Sequence, residues 1–278
     1  LGSTIRINLI FGGTLYIEIL PSTAKIAEAG AQAYSDLLTK KPDAVLGLAT
    51  GSSPLPIYDR LISLYEDGAI SFKDARAFLL DEYVGLAADH EQAYRRFIEE
   101  VFTGKVDFAP GAVQGPEGDT GDPFTAAAAY EQKLVDSGGV DLQILGLGTD
   151  GHIAFNEPGG SLSSKTHPQV LTEQTRADNA RFFDDNIDEV PQFAITQGLA
   201  TIMRAKQIVL VAEGSQKAEA VAQMVEGGVS ALWPATVLQW HPNITVLLDE
   251  DAASQLVLAD FYKAEARGRR ALARLEND

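Results

Sequence analysis

The sequence predicts a single-domain α/β fold with a mostly parallel central sheet that is covered by helices on both faces. Short apolar runs, such as AVLGLA at 44–49, alternate with helical patterns along the chain. Strands that are apolar on both sides are typical of parallel sheets buried between helices. The chain has 278 residues, of which 45% are hydrophobic, and no visible repeat or domain boundary, so it is long enough for one full core.

The elements follow from these two patterns in chain order. Strands are predicted at 15–20, 44–49, 77–83, 141–147, 207–212 and 244–248. Helices are predicted at 23–40, 54–66, 92–102, 123–136, 215–226 and 252–275. Ser22 caps the first helix, and Pro54 occupies the first position of the second. Two longer segments, 104–122 and 158–191, interrupt this rhythm, and the second is polar and long enough to form a lid.

The composition disfavours several classes of protein. A net charge of −17 opposes binding to nucleic acid and to anionic membranes. No apolar run is long enough to span a bilayer. The absence of cysteine excludes disulfides and thiolate zinc sites and favours a reducing, cytoplasmic compartment. Residues 1–13 lack an initiator Met and a basic region followed by a cleavage site, so we interpret them as an N-terminal remnant, not a signal peptide.

Polar residues follow three of the predicted strands, and ligands of open parallel sheets bind outside the carboxyl ends of the strands. The first group is Thr50, Gly51, Ser52 and Ser53, which precede the helix that starts at Pro54. Backbone N–H groups and hydroxyls at such a turn form a ready site for an anion. The alternative is an ordinary strand-to-helix turn with a serine cap. The turn is not a P-loop, because GxxxxGK[ST] is absent.

The second group is the pair Asp81 and Glu82 near the end of the strand predicted at 77–83. Because successive side chains of a strand point to opposite faces, the two carboxylates point to opposite sides. One of them can face a site while the other supports the structure, and we expect Asp81 to face the site. A solvated strand edge is the alternative.

The third group is a glycine-flanked turn that carries Asp150 and His152, with Glu157 five residues further on. Flanking carboxylates can hold an imidazole in one tautomer and make it more basic. The alternative is a surface histidine near acidic residues. A nucleophilic triad fits poorly because no GxSxG turn is present, and the other three histidines are too scattered for a His-rich metal site.

Two cationic residues also stand out from their surroundings. Lys217 lies in the first turn of a predicted helix, where acidic side chains are the usual choice. Arg181 lies in the long polar segment and precedes two phenylalanines. Each side chain is either solvated or directed at a bound anion.

Five stretches of the chain carry a family resemblance, and they occur in this order: LGLATGSSP, LLDEYVGL, LGLGTDGHIAFNEP, ARFFD and GSQKAEAV. Together they resemble the glucosamine-6-phosphate deaminases, and the likeness runs from about residue 15 to residue 249. The resemblance implies a doubly wound, Rossmann-like α/β sheet without a dinucleotide. It also implies conversion of glucosamine 6-phosphate and water to fructose 6-phosphate and ammonia, without a metal or an organic cofactor.

The resemblance further implies a role for each polar group. Asp81 matches the base that moves a proton between C2 and C1, and His152 matches the acid/base that opens the sugar ring. Asp150 and Glu157 match the carboxylate partners of His152. The substrate phosphate is expected to bind Thr50, Gly51, Ser52, Ser53, Arg181 and Lys217. The expected partner is therefore a small amino-sugar phosphate, with no nucleic acid and no membrane, and a homo-oligomer is left open.

Two other functions stay open at this point. A 6-phosphogluconolactonase shares the fold and a related GxDGH turn, but typically has Arg after the Asp-Glu pair, where this chain has Tyr83. It also typically has a SLFPG-like stretch after the histidine turn, where this chain has FNEP at 155–158. The second alternative is a sugar-phosphate sensor that binds without turnover, which is disfavoured because all four candidate catalytic residues are present.

One region departs from the family pattern. In the allosterically regulated deaminases, a basic pair follows the FNEP loop and binds an N-acetylated effector. In this chain the pair falls on His167 and Gln169. We therefore expect no activation by N-acetylglucosamine 6-phosphate.

Overall fold

The computed structural model describes residues 14–87 and 89–275, so the predicted N-terminal remnant at 1–13 lies outside the described residues. The strands of the described part are β1 (Thr14–Leu20), β2 (Val45–Leu48), β3 (Arg76–Leu79), β4 (Asp81–Tyr83), β5 (Val113–Gln114), β6 (Leu142–Gly146), β7 (His167–Val170), β8 (Phe193–Thr196), β9 (Gln207–Ala212) and β10 (Asn243–Asp249). The α-helices are α1 (Thr23–Lys40), α2 (Leu55–Glu66), α3 (Tyr94–Val101), α4 (Pro123–Asp136), α5 (Glu173–Asn179), α6 (Leu199–Ile202), α7 (Ala218–Glu226) and α8 (Ala259–Leu275). Short 3₁₀ segments lie at Thr103–Lys105, Ala180–Phe182, Ser215–Lys217 and Pro234–Trp240.

Seven strands form the main sheet in the order β1-β10-β9-β6-β2-β3-β5, and every neighbouring pair is parallel. The strands are buried on both faces, and the helices surround them, which confirms the predicted α/β fold. From β2 the chain moves outward through β3 to β5, and it then returns to β6 on the other side of β2. The carboxyl ends of β2 and β6 therefore flank the point where the strand order reverses, which is where such sheets bind ligands.

A second, three-stranded antiparallel sheet has the order β4-β8-β7, and the sequence did not predict it. The single strand predicted at 77–83 in fact divides at Leu80. The Leu80 N–H donates to the carbonyl of Leu48 in the main sheet, whereas the Leu80 carbonyl accepts from the N–H of Gln197, which follows β8. The continuous apolar run hides this change of partner, because both halves are buried.

Several helix boundaries also differ from the prediction. The helix predicted from residue 92 begins at Tyr94, because the Glu82 carboxylate accepts the backbone N–H groups of Tyr94 and Arg95. The C-terminal helix begins at Ala259 and not at residue 252, because other groups accept the backbone N–H groups before it. The Asp249 carboxylate accepts the Ala252 N–H. The Glu226 carboxylate accepts those of Val257 and Leu258. Within the described residues, no helix is both long and apolar enough to cross a membrane.

The segment predicted as a polar lid, 158–191, contains regular secondary structure from residue 167 onwards. It contains β7, the helix α5 and the 3₁₀ segment Ala180–Phe182. The hydroxyl of Thr172 caps α5 by accepting the N–H of Thr175 at 3.1 Å. The segment packs on a second apolar cluster, which is separate from the main core and is built from Tyr83, Phe155, Leu171, Ala180, Phe183, Val190 and Ala194.

Candidate active site

A cleft of about 230 Å³ opens at the carboxyl ends of the central strands. Eight of the ten predicted site residues line it, namely Thr50, Gly51, Ser52, Ser53, Asp81, His152, Arg181 and Lys217. The two others, Asp150 and Glu157, lie next to His152 and contact the cleft through it. The structure thus brings together the strand ends that the sequence singled out.

The Thr50–Ser53 turn connects β2 to α2 at the strand reversal point. Its start is fixed by the buried Tyr58, whose hydroxyl accepts the Ala49 N–H at 3.0 Å and donates to the Ala49 carbonyl at 2.9 Å. Gly51 has a φ of +87°, a conformation that strains any residue with a Cβ, and the space around it is open. The turn therefore presents its backbone and hydroxyls to the cleft at the start of a 12-residue helix, a favourable place for an anion.

Two cations, Lys217 and Arg181, line the same cleft and lie close enough for their charges to interact. Lys217 is placed by the 3₁₀ segment after β9, and the Gly214 N–H before it is anchored on the Asp249 carboxylate at 3.0 Å. Burial lowers the pKa of Lys217, and the Arg181 charge lowers it further, against the opposing effects of Asp150 and Asp178. A bound anion would relieve the repulsion between Lys217 and Arg181, so this part of the cleft suits a phosphate.

The side chains of Asp81 and Glu82 point to opposite faces, as the alternation along a strand predicts. Glu82 turns away from the cleft, and its carboxylate accepts the N–H groups of Tyr83, Tyr94 and Arg95, each at 2.9 Å. Asp81 lines the cleft and is 6% exposed. Burial raises the pKa of Asp81 to about 8, and the neighbouring Glu82 charge acts in the same direction. A carboxyl that titrates in this range can act as a base at neutral pH.

Asp150 holds His152 by two contacts, one to the ring and one to the backbone. His152 Nδ1 lies 2.7 Å from Asp150 Oδ1, which also accepts the His152 backbone N–H at 3.1 Å. Burial alone would raise the pKa of Asp150, but the hydrogen bonds and charge of His152 outweigh it and lower that pKa. Because an ionised Asp150 accepts from Nδ1–H, the other ring nitrogen, Nε2, is left to exchange a proton.

Gly148 is required by the imidazole itself. A Cβ at this position would lie 2.4 Å from His152 Cε1 and Nδ1, a distance at which the ring would have to move. Gly151 has a φ of +80°, and a Cβ there would lie 2.7 Å from the Trp233 ring. The two glycines of the GTDGH turn at 148–152 therefore allow a close approach of ring and backbone that no larger residue permits.

Glu157 lies behind this pair and is 6% exposed. Its Oε1 accepts the Thr175 hydroxyl at 2.6 Å, while its Oε2 is buried and has no hydrogen-bond partner among the described residues. Asp150, His152 and Glu157 each place one possible ligand atom within 4.8 Å of those of the other two. Among the described residues, this is the one group of three or more possible metal ligands. A metal bound at His152 Nδ1 would have to break the bond to Asp150, so the geometry favours proton exchange.

Sequence reasoning missed the aromatic and amide side chains that complete the cleft. Tyr83, Tyr94 and Phe155 line it and pack against one another with ring centroids 4.8–5.9 Å apart, and the rings of Tyr94 and Phe155 are stacked. Asn179 of α5 donates to the Tyr83 hydroxyl at 2.9 Å and so fixes the helix against this wall. The Thr172 cap was the local signal that could have revealed α5.

The fold and the cleft define an α/β protein that gathers acid–base groups and two cations where a parallel sheet reverses its order. The chain belongs to the family of glucosamine-6-phosphate isomerases and 6-phosphogluconolactonases, whose model matches residues 22–247. It is 60% identical over 253 residues to a glucosamine-6-phosphate deaminase of Mycolicibacterium smegmatis, covering 91% of this chain and 97% of that relative. A glucosamine-6-phosphate deaminase of Beutenbergia cavernae is 61% identical, with 89% and 95% covered.

Solved structures agree with this assignment. A structure described as a monomeric glucosamine-6-phosphate deaminase superposes with a TM-score of 0.84 at 40% identity, covering 87% of this chain and all of that one. The 6-phosphogluconolactonase from Trypanosoma brucei superposes with a TM-score of 0.70 but is only 22% identical, with 88% of this chain and all of that one covered. The lactonase likeness therefore shows the shared fold alone.

Asp81 should make the stability of the fold depend on pH. Its pKa is about 8 in the folded protein against 3.8 ordinarily, so the stability it contributes is complete below pH 3.8 and is lost as the pH rises towards 8. The amide side chain of the variant Asp81→Asn cannot ionise. The free energy of unfolding of Asp81→Asn minus that of wild type should therefore increase by about 1.4 kcal/mol per pH unit between about pH 5 and 7. Urea unfolding at each pH measures this gain. The exposed control Asp59→Asn should differ from wild type by a constant amount, and an equally constant difference for Asp81→Asn would contradict the expectation.

Proposed function

We propose that this protein is a glucosamine-6-phosphate deaminase, which converts glucosamine 6-phosphate and water to fructose 6-phosphate and ammonia. The observation that carries the proposal is one cleft that combines a buried carboxyl of raised pKa with two converging cations. The ligand that fits such a cleft carries a positive amine at one end and a negative phosphate at the other. The relatives at 60–61% identity, both named for this activity, support the same substrate.

His152 opens the sugar ring in this mechanism. Ring opening takes a proton from the C1 hydroxyl and gives one to the ring oxygen, and an imidazole can do both because it accepts and donates protons at its ring nitrogens. Asp150 orients the ring and stabilises its protonated form through Nδ1. Glu157, close to both, adds a second carboxylate beside the imidazolium. The product of this step is the open-chain aldehyde.

Asp81 then moves a proton from C2 to C1. The C2 ammonium first loses a proton to become a neutral amine. Abstraction of the C2 proton next to the C1 carbonyl, with a proton gained at O1, then gives an enol. Protonation of this enol at C1, with the nitrogen lone pair forming the new bond, leaves a protonated C=N bond at C2. Water adds to C2, the nitrogen takes up a proton, and ammonia departs to leave the ketose. Burial raises the pKa of Asp81, and the substrate ammonium lowers it towards the ionised, basic form.

The phosphate is held at the other end of the cleft by the Thr50–Ser53 turn, Arg181 and Lys217. These contacts are the same at every stage of the reaction, so they contribute to binding more than to the rate of the chemical step. We also propose a cytoplasmic location, since the chain has no cysteine and its proposed substrate is a phosphorylated metabolite. A homo-oligomer stays an untested expectation, and the solved relative at 40% identity is described as monomeric.

The assay that tests the proposal measures ammonia and fructose 6-phosphate released from glucosamine 6-phosphate, with hydrolysis of 6-phosphogluconolactone as the parallel reaction. We expect release of both products in equal amounts and no lactone hydrolysis above background. Lactone hydrolysis alone would support the lactonase, and binding of glucosamine 6-phosphate without turnover would support the sensor. Either result would overturn the proposal.

Removing the base should abolish most of the turnover. We expect Asp81→Asn to bind the substrate but to lose about 100- to 10,000-fold in kcat, the usual contribution of a general base. Steady-state ammonia release and calorimetric binding measure the two quantities. Asp59→Asn, an exposed change of the same kind, is the control and should keep wild-type kcat. A kcat for Asp81→Asn within a few-fold of wild type would remove this residue from the mechanism.

Removing a phosphate contact should act on binding. We expect Lys217→Ala to raise KM by about 10- to 100-fold while kcat changes by less than about threefold, because the phosphate is bound equally in ground and transition states. The exposed Lys133→Ala serves as control and should leave both constants unchanged. A loss confined to kcat would show that Lys217 acts in the chemical step instead.

The candidate effector region should not respond to an effector. His167 Nδ1 lies 2.7 Å from the Lys165 carbonyl and its Nε2 lies 3.1 Å from Gln169 Oε1. Gln169 Nε2 donates to the Val170 carbonyl, so both side chains are engaged with their own segment, and Gln169 supplies no charge for a phosphate. Substrate saturation curves with and without N-acetylglucosamine 6-phosphate should therefore coincide. A strong shift of the curve on adding that compound would contradict the expectation.

A further inference from the structure

The carboxylate of Glu157 is oriented by very few contacts. It is buried, its Oε2 has no hydrogen-bond partner among the described residues, and its one short hydrogen bond is the 2.6 Å contact between Oε1 and the Thr175 hydroxyl. Thr172 Oγ1 lies farther away, at 3.5 Å. A buried carboxylate with one firm bond can rotate or shift when that bond is lost.

The contacts of Thr172 and Thr175 show which hydroxyl donates to which acceptor. Thr172 Oγ1 donates to Thr175 Oγ1 at 3.0 Å, and Thr172 Oγ1 in turn accepts the Thr175 backbone N–H at 3.1 Å. The single hydrogen of Thr175 is therefore free to go to Glu157 Oε1. The two threonines form a short chain of hydrogen bonds that ends on the carboxylate.

We propose that Thr175 is a positioning residue for the deamination, which holds Glu157 beside the His152–Asp150 pair. The proposal rests on the proposed function and adds a residue on α5 to it. Thr175 itself is 6% exposed and lines the cleft, whereas Glu157 does not line it. Its hydroxyl thus connects the helix that covers the cleft to the carboxylate behind His152.

The chain offers a matched control for a role that is merely structural. Thr201 is 5% exposed, and its hydroxyl donates to the Glu131 carboxylate at 2.8 Å, on a side of the molecule that the cleft does not include. Thr→Val at either position replaces a buried hydroxyl bound to a carboxylate with a methyl group of similar shape. Both variants should lose similar stability, so a difference between them in activity reports position and not folding.

The kinetic test compares Thr175→Val, Thr175→Ser and Thr201→Val with wild type. We expect Thr175→Val to lose about 10- to 100-fold in kcat with KM within about twofold, and Thr175→Ser, which keeps the hydroxyl, to return to within about threefold of wild type. Thr201→Val should keep wild-type kcat. In a Glu157→Gln background, Thr175→Val should add less than about twofold, because it acts through Glu157.

Three results would overturn the role of Thr175: wild-type kcat in Thr175→Val, no recovery in Thr175→Ser, or a full additional loss on top of Glu157→Gln. A spectroscopic measurement tests the positioning role of Thr175 independently of the proposed function. The imidazole NMR signals of His152 should move in Thr175→Val and stay in place in Thr201→Val. If wild type released no ammonia, the proposed function would fail, and unmoved His152 signals in Thr175→Val would then still overturn the positioning role.

Discussion

The buried residue Gln197 joins the two sheets and the histidine turn, and the geometry of the cleft depends on it. Its N–H donates to the Leu80 carbonyl at 2.7 Å, and its side-chain amide donates to the Leu79 carbonyl at 2.9 Å. Its own carbonyl accepts the amide of Asn156 at 2.9 Å, directly before Glu157. One residue thereby fixes the point where the chain leaves the parallel sheet, which places Asp81, and ties that point to the loop after His152.

The parts that the sequence predicted are those governed by local rules. Continuous apolar runs mark the parallel strands, and carboxyl ends of such strands meet at one edge, so Asp81 and His152 were expected to converge. Alternation along a strand separated Asp81 from Glu82. The small antiparallel sheet and the bond from Thr175 to Glu157 join residues far apart in sequence, and a lone Gln197 after a four-residue strand carries no local pattern. Long-range pairing of this kind is not encoded in periodicity.

The electrostatics of the cleft reconcile a strongly acidic chain with an anionic ligand. A net charge of −17 repels phosphate at long range, but at cellular salt that field is screened within about 8 Å, so local donors decide binding. Burial raises the pKa of Asp81, which limits its repulsion of the phosphate in the proposed reaction. The ammonium of the proposed substrate favours ionisation of Asp81. In that proposal, the substrate itself helps to generate the base that acts on it.

The second sheet supports the segment that covers the cleft. Tyr83 of β4 accepts the Asn179 amide, and its ring packs edge-on against Phe183, so α5 and the 3₁₀ segment after it rest on a wall that β4 supplies. Thr175 and Arg181 belong to this one continuous helical stretch. Arg181, the proposed phosphate contact, and Thr175, whose hydroxyl bonds to Glu157, are therefore placed by the same contacts with β4. A parallel sheet alone provides strand ends for binding, and in the proposed mechanism the added sheet links the phosphate contact to the ring-opening groups through one helical stretch.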